Sequence, residues 1–324
     1  MSKLHIPNSI ALRNFDSIFQ GNDFIFDKNV DISFHPTYVA MHPVGIAFYA
    51  ALQDYWTENG ITRNASINPD IKSIPYLQRM GFFNCMGFRD PKSIKSHDET
   101  GRFIPLKKIT NGQELESFIK TIDPILHTSR DNSRAIKHVF SELIRNVLEH
   151  SESRFGANVC ASYNKKKKKI LIGISDAGVG LKQSLRKHHS IKSDEEAILK
   201  AITPGITGST KRIGGNEQNA GAGLFFTKSI AKATRNHFLI YSGTSYFKLL
   251  TSKAGSQIEY IPDPKKDRAK IKNNLPYFHG TLVGIDIHIS DEKAFNNLIE
   301  NIGKAYQLGV KNTQKDYYKR INFT

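Results

Sequence analysis

The chain has 324 residues, 39% hydrophobic and 23% charged, the balance of an ordinary globular protein of about two domains. Its formal charge of +16 comes from 46 Lys and Arg against 30 Asp and Glu; this excess favours an acidic partner (nucleotide, nucleic acid, anionic membrane face or acidic protein) or a basic surface that only aids solubility. Two distant cysteines, Cys85 and Cys160, exclude a disulfide framework and a zinc cluster, while the lack of a secretory pattern at the N-terminus and of any apolar run near about 18 residues makes a cytoplasmic protein without a membrane span the expectation.

In chain order, residues 23–34 alternate like one strand or two short ones, and 43–58 read as a helix opened by Pro43 and closed by Asn59-Gly60. A strand at 61–67 and a short helix at 71–80 complete a β-α-β-α order, the pattern of a small α/β domain over 1–110 that serves as a regulatory or interaction module. The polar stretch 89–113, with Pro91, Gly101, Pro105 and Gly112, reads as an inter-domain connection, followed by a linker helix within 111–130 that Pro124 can interrupt. The clearest helix is 131–150, where Ile136, Val139, Phe140, Leu143 and Val147 repeat at three and four. Strands at 156–163 and 169–175 form a hairpin across Asn164 and five lysines, Lys165 to Lys169. Those lysines can grip nucleic-acid phosphates or simply form a solvated turn. A helix at 193–203 opens with a Ser193/Glu196 capping box, and a helix at 222–234 precedes strands near 237–242, 245–250, 257–261 and 280–289. A helix at 291–307 and a basic tail fill 291–324.

Three blocks carry chemistry. In SELIRNVLEHS (Ser141 to Ser151), Glu142 and Asn146 lie four apart on one helix face. A carboxamide oxygen can complete the shell of a phosphate-bound magnesium ion, and a carboxylate one turn earlier can orient or deprotonate water or a hydroxyl; a polar face turned to water is the other reading. In SDAGVGL (Ser175 to Leu181), Asp176 ends an apolar strand and can accept a hydrogen bond from an exocyclic amine, while Gly178 and Gly180 let backbone approach a ring, unless this is merely a turn. In NAGAGLFFTKS (Asn219 to Ser229), Gly221, Gly223 and Leu224 open a helix after a glycine-rich connection of about forty residues. N–H groups at a helix start bind phosphate oxygens, and Lys211 and Arg212 can add charge to a closing lid or stay solvated. No Gly-x-x-x-x-Gly-Lys-Ser/Thr run occurs, which excludes a P-loop as the phosphate cradle.

Jointly and in this order the blocks resemble the GHKL family of ATPases, over residues 131–290. The resemblance implies the Bergerat fold, an α/β sandwich in which ATP lies between a helical layer and a mixed sheet. It implies Asn146 as the magnesium-binding asparagine, Glu142 as the general base, Asp176 as the adenine-reading aspartate, and Gly178, Gly180, Gly221 and Gly223 as the two glycine boxes. Gly280-Thr281 resembles the family's late Gly-Thr element near the adenine. Glu149 stands where sensor histidine kinases often carry lysine, no His-Glu-x-x-x-x-Pro segment precedes the block, and His127 and His138 have other surroundings; the Glu-His-Ser end looks more like the anti-sigma kinase branch. The expected activity is Mg-ATP binding with hydrolysis or a conformational switch. A serine kinase acting on a partner protein and a non-catalytic, ATP-gated or nucleic-acid-binding module are the alternatives. The segment Asp23 to Phe83 is faintly similar to a STAS domain, which implies a protein partner through that module; a homodimer also stays open.

Overall fold

The computed structural model describes residues 2–22, 24, 26–92, 102–126, 130–210, 222–252, 255, 258–288 and 292–321. Strands β1 (Ser2–Ile6) and β2 (Ser9–Ile10) lead into a 3-10 helix at Leu12–Phe19, followed by β3 (Asn29–Phe34), β4 (Ala40–Met41), helix α1 (Pro43–Glu58), β5 (Thr62–Ala65), α2 (Ile74–Arg79) and α3 (Phe82–Cys85). Then come β6 (Phe103–Ile109), α4 (Gly112–Leu126), α5 (Arg130–His150), β7 (Ala157–Asn164) and β8 (Lys169–Ser175). The remainder is α6 (Gly180–Arg186), α7 (Asp194–Ala201), α8 (Gly223–Ala233), β9 (Phe238–Gly243), β10 (Ser245–Leu249), β11 (Ala269–Lys272), β12 (Phe278–His288) and α9 (Glu292–Ile321). Among the described residues no helix is long and apolar enough to cross a membrane.

The protein is α/β, built on a seven-stranded sheet in the order β11-β10-β9-β12-β8-β7-β6. Every pair in it is antiparallel, where the sequence reading expects a mixed sheet; parallel pairing is confined to the small sheets β1-β3-β5 and β2-β4. The reason lies in β12. Strands β8 and β9 run in the same direction, joined through α6–α8, and β12 is inserted between them antiparallel to both. The β7–β8 hairpin turns at Lys165–Lys168, where the Asn164 side chain accepts the Lys167 N–H at 3.0 Å and Lys168 takes a positive φ.

One face of the sheet is covered by α4, α5, α8 and α9, whose apolar stripes join Ile172, Ile174, Ile240 and Ile285 in one core. The other face is covered by the N-terminal unit. Helix α1 is buried on nearly all sides, as a helix sandwiched between two layers must be. Its start rests on Cys160, Gly173 and Gly284, which face one another across β7, β8 and β12. The approach is so close that a Cβ on Gly173 would lie 2.2 Å from the Pro43 carbonyl oxygen. Polar contacts pin the seat. The Ser175 hydroxyl donates to Ala47 O at 2.6 Å, and His42, whose Nδ1 accepts from Val44 N–H, donates through Nε2 to Asp286 at 2.9 Å. Buried Asp54 of α1 meets Lys108 and accepts from Asn158 Nδ2 at 2.7 Å.

Several elements differ from the sequence reading. The connection expected over 89–113 contains β6, the outer strand beside β7, and α4 packs on α5 and β6 within the helical layer. Pro124 lies in the last turn of α4 and ends nothing before Leu126. The strand expected at 257–261 is irregular where described, and β11 replaces it eight residues further on. The basic tail is helical through Ile321 as part of α9. Strand β1 and the 3-10 helix carry too short an apolar pattern to signal themselves.

Candidate functional site

Helix α5 presents one polar row. Glu142, Asn146 and His150, spaced four apart, all line a single cavity together with Leu143 and Val147, while Val139, Phe140 and Ile144 turn to the core. Glu142 is partly exposed and meets Arg145 Nη1 at 3.3 Å. Burial holds His150 below its ordinary pKa against the opposing pull of Glu149, so the ring is neutral at pH 7.

At the end of β8 the chain turns sharply. The Asp176 N–H donates to Thr281 O at 3.0 Å, and its carboxylate Oδ1 accepts the Gly178 N–H at 2.8 Å. The Val179 N–H donates to Ser151 O at 2.8 Å, docking the turn on the end of α5. Gly178 has to be glycine here, because a Cβ would lie 2.0 Å from Ser151 O. Asp176 is buried, 1% exposed, at the cavity wall beside Thr281. Desolvation pushes its carboxyl up to about 7, in spite of backbone N–H groups of Gly178 and Thr281 that favour the ionised form. A buried carboxyl of this kind gains most from a ligand that offers it a hydrogen-bond donor.

Helix α8 starts against Glu142 and Asn146. A Cβ on Gly223 would sit 2.8 Å from Glu142 Oε2, 2.9 Å from Glu142 Cβ and 3.4 Å from Asn146 Nδ2. The N–H groups of its first turn have no helical partner, and the helix dipole places partial positive charge there. The position of α8 is fixed from below by Asp267, which pairs with buried Lys228 and with Lys232 at 2.6 Å.

Glu142, Asn146, Asp176, Gly180, Gly223, Leu224 and Thr281 thus line one cleft, and Gly178 braces it. Its empty volume is about 840 Å³ including the open mouth. Lys211 and Gly221, with Arg212, lie outside the described residues. Sequence reasoning missed His150, Ser184 and Thr207 in the wall. His150 continues the Glu142–Asn146 spacing by one more turn, a signal present in the sequence. Ser184 and Thr207 come from the long connection and carry no such signal. Among the described residues no group of three or more His, Cys, Asp or Glu could hold a metal. A metal here would take one protein oxygen, from Asn146, and the rest from its ligand and water, which suits magnesium arriving with a polyanion. The cleft offers a buried hydrogen-bond acceptor at Asp176 and backbone N–H donors at the start of α8.

No family model matches this chain, and no curated protein matches it.

Proposed function

We propose that this protein binds Mg-ATP in the α5/α8 cleft and transfers its terminal phosphoryl group, as a GHKL-type ATPase with a Bergerat-like sandwich. The observation that carries this reading is the meeting of three distant blocks: Glu142 and Asn146 touch the start of α8 at Gly223, and Asp176 with Thr281 lines the same cleft. The helical layer over an antiparallel sheet supports the sandwich, although the expected mixed pairing is absent from the seven-stranded sheet.

In this reading the Asp176 carboxylate accepts the adenine amine, and the N–H groups opening α8 hold phosphate oxygens. Asn146 would ligate magnesium, which neutralises charge on the phosphates when bound. Glu142, beside Gly223, orients and deprotonates the attacking water or hydroxyl. Catalysis comes from positioning and charge neutralisation, which these groups can supply.

The test is ATP titration and turnover of wild type, Glu142→Gln and Asn146→Ala. Glu142→Gln is expected to bind ATP while losing turnover by about 10²-fold or more, and Asn146→Ala to lose magnesium-dependent affinity. Wild type that binds no ATP ends the proposal. Labelled phosphate separates the acceptors: release as free phosphate means hydrolysis, and retention on protein means the serine-kinase alternative.

A further inference from the structure

The opposite face of the sheet holds a second cavity, about 830 Å³ including its open mouth, close to the first cleft on the same measure and within the size range of small-molecule sites, about 300–1,000 Å³. Four pieces of chain line it: Phe24 and Phe26 before β3, Phe48 to Tyr55 on α1, Tyr241 on β9, and Pro276 to His279 entering β12. Its walls are ordered rings. Phe278 stacks on Phe48 at 5.3 Å and on Tyr241 at 5.2 Å, with interplanar angles of 19° and 24°. The His279 ring stacks on Tyr55 at 3.9 Å and 13°. Tyr277, 56% exposed, stands edge-on to His279 at the mouth. Among the described residues the Tyr55 and Tyr277 hydroxyls and the His279 ring make no hydrogen bond. Burial keeps His279 below its ordinary pKa, so its neutral ring offers one donor and one acceptor.

We propose that this cavity is a second small-molecule site, taking a planar heteroaromatic ligand that stacks among the rings and meets Tyr55, Tyr277 and His279 with its polar edge. Aromatic walls favour flat aromatic ligands over merely apolar ones, because ring edges and the faces left open add stacking and edge-to-face contacts to area burial. The recess is already formed, so little ordering opposes entry. The β12–β9 ladder shifts register between Phe278 and Thr281, with Gly280 at φ +104°; Phe278 lines this cavity and Thr281, on the other face of β12, lines the α5/α8 cleft. Strand irregularities of this kind commonly re-aim side chains beside sites. Binding in this cavity needs nothing from the nucleotide reading and can stand or fall without it.

Quinoline and its saturated counterpart decahydroquinoline serve as probes. The reporter is the one tryptophan, Trp56, which is buried and meets the Phe26 wall ring at 5.2 Å. Quinoline is expected to quench Trp56 emission saturably at up to millimolar concentration, with a matching dissociation constant by calorimetry. Decahydroquinoline should bind at least about tenfold more weakly. Ala51→Phe, which fills the cavity, should abolish binding, and Tyr277→Ala at the exposed mouth should weaken it about tenfold. Should Ala51→Phe fail to fold, judged by its melting curve, Tyr277→Ala decides. No saturable quinoline binding, equal binding of both probes, or binding that neither folded variant alters overturns the proposal.

Discussion

Replacing Asp176 with asparagine separates charge from shape. The side chain is 1% exposed, and an asparagine can keep the Gly178 N–H bond through its own carbonyl, so the turn survives. What is lost is an ionised acceptor for the ligand's amine. A hydrogen bond to a charged group contributes about 1.5–3 kcal/mol, so adenine-nucleotide affinity at pH 8 should fall about 10- to 150-fold. The pH dependence is more diagnostic. The free carboxyl titrates at about 7, and an amine donating to it holds it ionised in the complex. Wild-type affinity should therefore drop about tenfold for each pH unit below 7, and the Asp176→Asn variant, whose carboxamide does not titrate, should not follow. The ratio of the two affinities cancels the titration of the nucleotide itself. Stability without ligand runs the opposite way. A raised carboxyl pKa means that the stabilising protonated form is fully present below the unfolded pKa near 3.9 and lost as pH rises through about 7. Asp176→Asn should thus melt higher than wild type at pH 8. Titrations from pH 5 to 8 that show one common slope for both proteins, or equal affinity at pH 8, refute the assignment of Asp176.

Three further outcomes follow from the geometry. Gly223→Ala places a methyl 2.9 Å from Glu142 Cβ and pushes α8 off α5; overpacking of about 1–3 kcal/mol and loss of turnover, read by melting and phosphate release, are expected although alanine favours helix. Asp267→Asn removes the carboxylate that pairs with both buried Lys228 and Lys232, leaving Lys228 only the field of Asp263; removing one partner of a buried pair costs about 3–5 kcal/mol, a fall of roughly 4–7 °C in Tm, checked by calorimetry. Gly173→Val drives a side chain into the Pro43 backbone; the expected result is a loss of soluble, cooperatively melting protein, and wild-type melting would contradict the close seat of α1.

Much of the fold was legible because its signals are local. The α5 stripe, Pro43 at the start of α1, Ser193 accepting the Glu196 N–H, and the lysine hairpin all appear where their residues place them. The convergence of Glu142, Asn146, Asp176 and Gly223 was legible through spacing and resemblance together. Sheet direction was not, because it depends on where β12 inserts, which no local pattern specifies. Nor was the union of the N-terminal unit with the sheet. Its mark is the pair Gly173 and Gly284, two glycines in strands far apart in sequence, and only the register shows that they are neighbours.

The inserted strand also sets an order for synthesis. β12 comes after all of its six sheet companions in sequence yet sits between two of them. Until Phe278–His288 leaves the ribosome, β8 and β9 are left as raw margins one strand apart, with apolar rows Ile170–Ile174 and Phe238–Ile240 available to any passing chain. The nascent protein therefore carries a hazard of mispairing late in translation at the middle of the sheet, besides the usual one at its rim.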